Sequence, residues 1–430
     1  MTNYNTLLKK IKNKTAKVSI IGLGYVGLPL AMLIANKNYT VYGIDTDIKK
    51  INLLKNKKNY IKHINSIELK NLINKKKLIP SNNSNLLSES DVVVVCVPTP
   101  LKINSKIPDL SHLKNACNLI LKNARKNSLI IIESTTYPGT TDEIFIPKLA
   151  KKFQDRYFIS YSPEREDPGN KKFTTKNIPK VIGANDKYSK KLINEFYGRV
   201  FKKVVQVKNI KVAEATKIYE NIFRSINIAL VNEMKYAFNK FDINIYDVIK
   251  ASSTKPFGFM PFYPGPGLGG HCIPIDPIYF SWKSKKLGFN CNFIELSEKI
   301  NSGVPKKITS YVKKNFNENS KILIIGLAYK KNIDDYRESP ALKIFDSLVR
   351  SNYNVLYHDK FILKIPKNRH YKSLVGHKSI SLSKEKLKKF DLTILLTDHD
   401  YLNKNMIIKN SKFIIDTRNF LNDNKNLVRL

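Results

Sequence analysis

One cysteine lies in an unusual stretch of the chain. The segment FYPGPGLGGHCIPIDP, residues 262–277, places four prolines and four glycines around Cys272. Neither a helix interior nor a strand interior tolerates that composition, so we expect a loop whose backbone can approach a ligand closely. Cysteines that only pack usually lie in apolar elements. The sequence therefore suggests that the Cys272 thiol is a nucleophile.

A second candidate group lies on a segment with helical periodicity. Residues 209–238, NIKVAEATKIYENIFRSINIALVNEMKYAF, contain neither proline nor glycine and predict one long spine helix between two domains. Lys217, Asn221 and Arg224 are spaced i, i+4 and i+7, so they project from one face. A cation beside an amide on a buried face could hold an oxyanion. A solvated polar stripe has the same spacing, and periodicity alone favours neither interpretation.

A third group indicates a dinucleotide site. The apolar run 18–21 is followed by a glycine-rich turn, a predicted helix and a second strand that ends at Asp45. This order predicts NAD binding, with the pyrophosphate at the helix N-terminus and Asp45 accepting hydrogen bonds from ribose hydroxyls. The Asp45 charge would repel the 2′-phosphate of NADP. The turn is formed by Gly22, Leu23, Gly24, Tyr25, Val26 and Gly27.

The surrounding pattern explains how such groups are positioned. Strands at 91–100 and 128–140 flank a helix near 110–126, and continuous β-branched runs separated by helices predict a parallel sheet covered on both faces. Ligands of such sheets collect at the carboxyl ends of the strands. Thr99, Ser134 and Thr135 follow predicted strands and are therefore expected beside cofactor and substrate.

The last third of the chain repeats this organisation. SKILIIGLAYKKNIDDYRESPALKIFDSLV again reads as strand, turn and helix, but Ala328, Tyr329 and Lys330 replace the fingerprint glycines, so this half is expected to bind something other than a dinucleotide. The predicted fold is α/β, with two Rossmann-like doubly wound parallel-sheet domains joined by a central helical domain. The predicted domains are residues 1–208, 209–315 and 316–430.

Composition limits the possible functions. The chain has 430 residues and a formal net charge of +40, but its lysines are spread along the whole length and no nucleic-acid-binding motif is present. We therefore expect a field that attracts anionic substrates and no nucleic-acid partner. The four cysteines have neither disulfide nor metal-ligand spacing, so we expect no metal and a reducing compartment. No apolar run suits a signal peptide or a membrane span, and a cytoplasmic location is expected.

Six ordered motifs cover most of the chain: GLGYVGLPLA, ESTTYPGTTDE, SPEREDPG, EATKIYENIFRSINIALVNE, PFGFMPFYPGPGLGGHCIPIDPIYFSWK and GLAYKKNIDDYRESPAL. Together they resemble the nucleotide-sugar dehydrogenases, specifically the branch that oxidises UDP-N-acetylhexosamines. The resemblance implies an N-terminal NAD domain, a central domain that makes a homodimer or higher oligomer, and a C-terminal domain that binds UDP. It also implies a four-electron oxidation of the sugar's primary alcohol to a uronic acid for a surface polysaccharide such as capsule or O-antigen.

The resemblance also implies residue roles. Cys272 becomes the nucleophile of a thiohemiacetal and thioester, Lys217 and Asn221 stabilise the oxyanion, and Glu164 serves as base, with Thr135 and Asp276 ordering the water. Lys50 and Arg337 join the cofactor residues. The implied substrate-binding residues are Glu164, Arg165, Lys217, Asn221, Arg224, Phe257, Gly258, Phe262, Tyr263, Gly267, Gly269, Tyr329, Lys330 and Arg418.

Three alternatives stay open at this point. UDP-glucose 6-dehydrogenase shares the chemistry but usually has GFGGSCF where this chain has GLGGHCI. A single-hydride NAD dehydrogenase of the 6-phosphogluconate type would not need Cys272. A catalytically silent binding protein is disfavoured, because every expected functional residue type is present.

Overall fold

The computed structural model describes residues 2–61, 64–103, 105–165, 177–270, 272–366 and 370–430. The chain forms two compact units. The first comprises Met1–Glu220 and Ile278–Leu287, and the second comprises Asn221–Pro277 and Gly288–Leu430.

A parallel sheet organises the first unit. Within the described residues its six strands have the order β3-β2-β1-β4-β5-β6, the doubly wound order in which a switch point lies between β1 and β4. A two-stranded parallel sheet pairs β7 with β8. The strands are β1 (Lys17–Ile21), β2 (Thr40–Ile44), β3 (Leu78–Ser81), β4 (Val92–Val95), β5 (Leu129–Ile132), β6 (Phe158–Tyr161), β7 (Lys180–Ile182) and β8 (Val204–Gln206).

Helices cover both faces of this sheet, because its central strands are apolar on both sides. All four valines of β4 are fully buried, and alternate strand residues enter two different core clusters. The helices are α1 (Thr2–Lys12), α2 (Gly27–Ala35), α3 (Ile48–Lys55), α4 (Ser66–Asn74), α5 (Ser111–Asn123), α6 (Thr140–Ile144), α7 (Ile146–Phe153) and α8 (Lys187–Val200), with a 3₁₀ turn at Ser84–Glu89.

A second parallel sheet organises the other unit. Its described strands have the order β10-β9-β11-β12-β13, the second common doubly wound arrangement. The Asp359 carboxylate accepts hydrogen bonds from the Leu327 and Ala328 N–H groups after the first strand, at 2.8 and 3.1 Å. The strands are β9 (Lys321–Ile325), β10 (Asn354–His358), β11 (Leu392–Leu395), β12 (Ile414–Asp416) and β13 (Leu427–Arg429).

The remaining helices include the predicted spine. It runs over Ile210–Phe238, 29 residues, and the boundary between the two units falls within it. The helices are α9 (Ile210–Phe238), α10 (Ile245–Ser252), α11 (Asp276–Lys286), α12 (Asn292–Asn315), α13 (Pro340–Val349), α14 (Lys384–Leu387) and α15 (Lys404–Asn410), with 3₁₀ turns at Asn239–Phe241 and Lys372–Leu374.

The predicted fold class is confirmed by these two sheets and the long helix. The proposed three-domain division at 208/209 and 315/316 stays a prediction. Among the described residues, no helix combines the length and the apolar composition needed to cross a bilayer.

Candidate active site

The turn after β1 carries the dinucleotide fingerprint. Gly22 has a φ of +94°, and a Cβ there would come within 2.7 Å of the Cys96 carbonyl oxygen. A Cβ on Gly27 would lie 1.8 Å from the Gly22 carbonyl oxygen, so α2 can begin against this loop only without a side chain. A Cβ on Gly24 would meet no described atom within 4 Å. These positions fit a pyrophosphate bound at the N-terminus of α2.

Asp45 directly follows β2 and contacts the glycine turn. Its Oδ2 accepts a hydrogen bond from the Leu23 N–H at 2.8 Å, and Lys50 Nζ lies 3.7 Å from the same oxygen. Tyr25 and Val26 are half-buried in the turn. The carboxylate is therefore held beside the turn, where ribose hydroxyls of a bound dinucleotide could donate to it.

Hydroxyl side chains lie at the carboxyl ends of the neighbouring strands. Thr99, after β4, is buried, and Ser134, after β5, donates to the Val97 carbonyl oxygen at 2.8 Å. Thr135 is half-buried next to Ser134. These predicted cofactor residues therefore lie at the edge of the sheet that also carries the glycine turn, as expected for a parallel sheet.

A buried ion pair joins α9 to the segment after β6. Lys217 Nζ donates to Glu164 Oε2 at 3.0 Å, and the two residues are only 6% and 8% exposed. A solvated polar stripe therefore does not describe Lys217. The attraction between the two charges offsets part of the cost of burying them.

Glu164 and Arg165 line a pocket of the first unit that also reaches Val26 of the glycine turn. Arg165 directs Nε and Nη2 to the two carboxylate oxygens of Glu220, at 3.1 and 2.6 Å. The pocket thus brings a predicted cofactor residue close to two predicted substrate residues. Residues 166–169 of the SPEREDPG motif lie outside the described residues.

In the second unit, two hydrogen bonds link Asn221, Asp276 and Cys272. Asn221 Nδ2 donates to Asp276 Oδ2 at 2.5 Å, and both side chains are almost completely buried. The Asp276 N–H donates to the Cys272 carbonyl oxygen at 2.8 Å, which places the cysteine at the start of the turn that leads into α11. Arg224 is exposed and donates to Asn221 Oδ1.

Cys272 differs from the other cysteines in its exposure. It is partly exposed, whereas Cys96, Cys117 and Cys291 are buried. Burial raises the pKa of the Cys117 thiol to about 11, so that thiol is chemically inert at neutral pH. Within the described residues, no cluster of histidine, cysteine or carboxylate side chains could hold a metal ion.

The loop before Cys272 exposes aromatic side chains. Phe257 and Tyr263 are 70% and 58% exposed, and Gly258 between them has a φ of +69°. Phe262 packs edge-on against Phe223 of α9 with ring centroids 5.7 Å apart. Phe262 therefore anchors the middle of the loop on α9, while the rings of Phe257 and Tyr263 remain exposed.

The glycines next to Cys272 allow this loop to pack on the segment after β9. A Cβ on Gly269 would lie 2.6 Å from Tyr329 Cβ, and the Gly270 N–H donates to the Arg337 carbonyl oxygen at 3.1 Å. Gly267 has a φ of +123° and lies against α12. The structure therefore places predicted substrate residues of the loop against Tyr329, whose neighbour Lys330 is half-buried. The exposed Arg337 side chain pairs with Asp335.

Arg418 approaches the same loop from the sheet. It follows β12, its Nε donates to the Leu396 carbonyl oxygen at 3.0 Å, and a Cβ on Gly265 would lie 2.7 Å from its Nη1. The Gly265 N–H in turn donates to Asn232 Oδ1 on α9 at 3.0 Å. The loop thus passes so close to the guanidinium that a side chain at Gly265 would require the guanidinium to shift.

Asn232 and Lys235 are both buried on α9 and are not among the residues predicted from the sequence. Their spacing along α9 could have identified them from the sequence. Asn221, Asn232 and Lys235 are spaced i, i+11 and i+14, which places all three within roughly 60° on a helix of 3.6 residues per turn. Extending the predicted polar face along α9 would have found them.

Comparison with known proteins identifies the family. Residues 16–201, 211–303 and 323–423 match, respectively, the NAD-binding domain, the central domain and the UDP-binding domain of the UDP-glucose/GDP-mannose dehydrogenase family. The chain belongs to this family. It is an NAD-dependent nucleotide-sugar dehydrogenase, and the predicted cofactor and enzyme class are confirmed.

Curated relatives match over most of their length. UDP-N-acetyl-D-mannosamine dehydrogenase of Methanococcus vannielii is 33% identical over 97% of this chain and 96% of its own. UDP-N-acetyl-D-glucosamine 6-dehydrogenase of Pseudomonas aeruginosa is 35% identical over 81% of this chain and 84% of its own. Protein CapL of Staphylococcus aureus is 32% identical, with coverage of 95% and 97%.

Solved structures agree with the fold. The UDP-D-ManNAc dehydrogenase of Pyrococcus horikoshii is 29% identical, covers 95% of this chain and 96% of its own, and superposes with a TM-score of 0.82. The UDP-N-acetyl-mannosamine dehydrogenase Cap5O of Staphylococcus aureus is 27% identical, with coverage of 96% and 97% and a TM-score of 0.79.

Proposed function

We propose that this dehydrogenase oxidises the primary alcohol of a UDP-N-acetylhexosamine to the uronic acid through a covalent intermediate on Cys272. The observation that carries the proposal is the burial of two polar side chains of α9 against carboxylates. Lys217 pairs with Glu164 in the first unit, and Asn221 bonds to Asp276 in the second. Buried pairs of this kind add little net stability, and preorganised polar groups are what a site needs to stabilise developing charge.

The reaction would proceed in two oxidations. Bound NAD⁺ supplies the hydride acceptor, once for the alcohol carbon and once for the thiohemiacetal carbon. Between the two, the Cys272 thiolate adds to the aldehyde carbon, and Lys217 and Asn221 donate hydrogen bonds to the oxygen that becomes negative. The second oxidation leaves a thioester on Cys272. Water, deprotonated by Glu164, then releases the carboxylate and the free thiol, with two NADH formed per uronate.

The choice of sugar would depend on donors around the ring. Relatives of this chain are named for N-acetylmannosamine and N-acetylglucosamine substrates. An arginine can donate to the acetamido carbonyl, where glucose offers only a hydroxyl. Arg165 already directs its guanidinium to Glu220, whereas Arg224 is exposed and bonds to Asn221, next to the proposed reaction site. We therefore assign the larger part of sugar discrimination to Arg224.

A panel of UDP-sugars tests this assignment. We expect kcat/KM for UDP-GlcNAc, UDP-GalNAc or UDP-ManNAc to exceed that for UDP-glucose by at least about tenfold, because a lost hydrogen bond to a charged donor costs about 1.5–3 kcal/mol. Arg224→Ala should reduce this ratio more than it weakens UDP binding. Equal or better activity on UDP-glucose would instead favour the alternative, a UDP-glucose 6-dehydrogenase.

Substitution of the cysteine tests the mechanism. Cys272→Ala should abolish uronate formation while the binding of NAD and UDP, measured by calorimetry, stays near the wild-type level, because only one small side chain is removed. Cys291→Ala is the matched control and should keep wild-type turnover. Uronate formation by Cys272→Ala at the wild-type rate, or one NADH per uronate in the wild type, would contradict the thioester route.

The proposal also covers the roles of the domains, the location of the enzyme and the use of its product. The domains are residues 1–208 for NAD, 209–315 for catalysis and dimerisation, and 316–430 for UDP. The enzyme acts in the cytoplasm, and its product is a precursor of a surface polysaccharide. Deletion of the gene should remove the N-acetylated uronate from that polysaccharide, and an unchanged sugar composition would count against this role.

Dimerisation would use the central helices. α9 and α12 pack on each other, with Asn301 Nδ2 donating to the Ser225 carbonyl oxygen at 3.0 Å. Phe223 and Leu230 of α9 are 41% and 53% exposed, and on α12 the exposures of Phe293 and Leu296 are 73% and 53%. Exposed apolar groups concentrated on two packed helices are typical of a protein interface, and we propose that a second copy of the chain covers them.

A further inference from the structure

Within the described residues, the second unit buries five side-chain polar atoms that have no hydrogen-bond partner. Two are the hydroxyls of Thr393 and Ser411, and the other three are Lys235 Nζ on α9, the Tyr246 hydroxyl on α10 and Arg429 Nε on β13. Lys235 is only 3% exposed. Both Lys235 and Tyr246 interact electrostatically with Asp416 and Arg418, so these groups share one region. Native proteins rarely bury polar atoms without partners, and each such atom calls for an explanation.

The region contains three cations and two carboxylates. Lys235 is close to the cations Arg418 and Arg429 and to the carboxylate Asp416, while the carboxylate of Asp398 acts on Tyr246 and Arg418. Both oxygens of Asp416 already accept hydrogen bonds from backbone N–H groups at 2.8 Å. Arg429 pairs with Asp423 at the surface. Burial lowers the pKa of Lys235 to about 8, so the ammonium remains largely charged at neutral pH without a dedicated carboxylate.

The region lies where a parallel sheet binds its ligands. Arg418 lies two residues after the end of β12, and Arg429 is the last residue of the neighbouring β13. The carboxyl ends of such strands are the usual ligand edge. Gly265 of the loop before Cys272 lies against Arg418 and is held by Asn232, one helical turn before Lys235. The unpartnered ammonium is therefore close to the loop and to a predicted substrate residue.

We propose that Lys235 Nζ and the Tyr246 hydroxyl bind the diphosphate of the sugar nucleotide beside Arg418. A diphosphate offers anionic oxygens that an ammonium and a hydroxyl can satisfy together. Uracil and ribose are neutral and would leave the buried ammonium uncompensated. This inference rests on the proposed function, because it takes the UDP-sugar as the ligand of the second unit.

The full-length variant Lys235→Met tests the inference, because methionine keeps the apolar stem and removes the charge. We expect KM for the UDP-sugar to rise about 10- to 100-fold, as for a lost charge-assisted hydrogen bond, with kcat within about threefold because the diphosphate is bound equally in ground and transition states. The inhibition constant of inorganic pyrophosphate should rise in parallel. Tyr246→Phe, which removes only a hydroxyl, should raise KM about three- to tenfold.

Lys250→Met, on the exposed face of α10, is the matched control and should leave KM and the pyrophosphate constant unchanged. A purely structural role for Lys235 would lower the melting temperature of the ligand-free variant. We expect that temperature to stay the same or rise, because a buried unpaired charge is removed. Unchanged KM in Lys235→Met and Tyr246→Phe would overturn the inference while wild-type turnover on UDP-N-acetylhexosamines upholds the proposed function. A wild-type enzyme that neither binds UDP nor oxidises any UDP-sugar would remove both.

Discussion

Glu214, on the second turn of α9, is a fully buried carboxyl group in the first unit. Its oxygens accept hydrogen bonds from the Gly139 N–H at 2.5 Å, the Thr141 N–H at 3.0 Å and the Thr141 hydroxyl at 2.7 Å. These donors favour the ionised form, but burial has the larger effect and raises the pKa of Glu214 from 4.5 to about 7. The folded chain therefore holds this proton more tightly than the unfolded chain.

That shift predicts a pH dependence of stability. Between about pH 4.5 and 7 the folded state binds more protons, so the contribution of Glu214 to the free energy of unfolding is fully present below this window and decreases as pH rises. The loss across the window is on the order of 3 kcal/mol. Glu214→Gln cannot ionise, so the stability of the wild type relative to this variant should fall between pH 5 and 8.

Urea unfolding followed by tryptophan fluorescence reports on the first structural unit, which contains Glu214. Trp282 is the single tryptophan of the chain, lies in the first unit and packs against Tyr137 with ring centroids 5.6 Å apart. Glu89 is the control, because a hydrogen bond from Lys17 lowers its pKa, and Glu89→Gln should show no such trend above pH 5. The wild type and Glu214→Gln could instead differ by the same free energy of unfolding at every pH from 5 to 8. That result would show that the Glu214 carboxyl group has an ordinary pKa.

The spacing of residues along a helix predicts which of them share a face, but it does not predict which of them are buried. Lys217, Asn221 and Arg224 follow one helical pattern, yet the first two are buried and Arg224 is exposed. The contacts that make this difference come from Glu164 and Asp276, which are more than 50 residues away in sequence. Spacing places Lys235 on the same polar face, but the sequence pattern does not show its burial beside charged groups at 416–429.

The glycine turn between β1 and α2 was predictable as an element, because its conformational demands are local. Gly22 and Gly27 are required by the backbone itself, whereas Gly24 faces open space, where the pyrophosphate of a dinucleotide is expected to approach. The strands and the spine helix were predictable for the same local reason, since continuous β-branched runs and a long apolar periodicity without proline determine them. The sequence pattern did not show that Asp45, after β2, accepts a hydrogen bond from the turn after β1, or that Asp359, after β10, accepts one from the turn after β9.

The two glycines should therefore respond differently to alanine. Gly24→Ala should leave urea unfolding unchanged but raise the dissociation constant of NAD at least about tenfold, because its methyl group would take the space that the pyrophosphate approaches. Gly27→Ala should lower the free energy of unfolding of the first unit by about 1–3 kcal/mol, because its Cβ overlaps the Gly22 carbonyl oxygen. Trp282 fluorescence and NAD calorimetry measure the two effects. Wild-type NAD affinity in Gly24→Ala would mean that the cofactor does not approach this turn.

For the whole molecule, the order of elements predicted two doubly wound sheets, and the structure has both. Sequence pattern could not show that the spine helix is shared, with Ile210–Glu220 in one unit and the remainder in the other. Nor could it show which apolar residues of that helix remain uncovered, because the interior positions and the exposed positions are both apolar. The exposure of Phe223 and Leu230 depends on how α12 packs against α9, which the sequence pattern does not show.

The exposed apolar residues of α9 and α12 predict a dimer interface. If a second copy covers α9 and α12, the wild type should be dimeric at micromolar concentration, and Leu230→Glu combined with Phe293→Glu should raise the dimer dissociation constant at least about 100-fold, because two charges would lose their hydration in an apolar contact. Light scattering after size exclusion measures the mass directly. Ile67→Glu, which alters an equally exposed apolar residue on α4, should leave the dimer intact. A monomeric wild type, or a double variant that remains dimeric, would place the interface elsewhere or remove it.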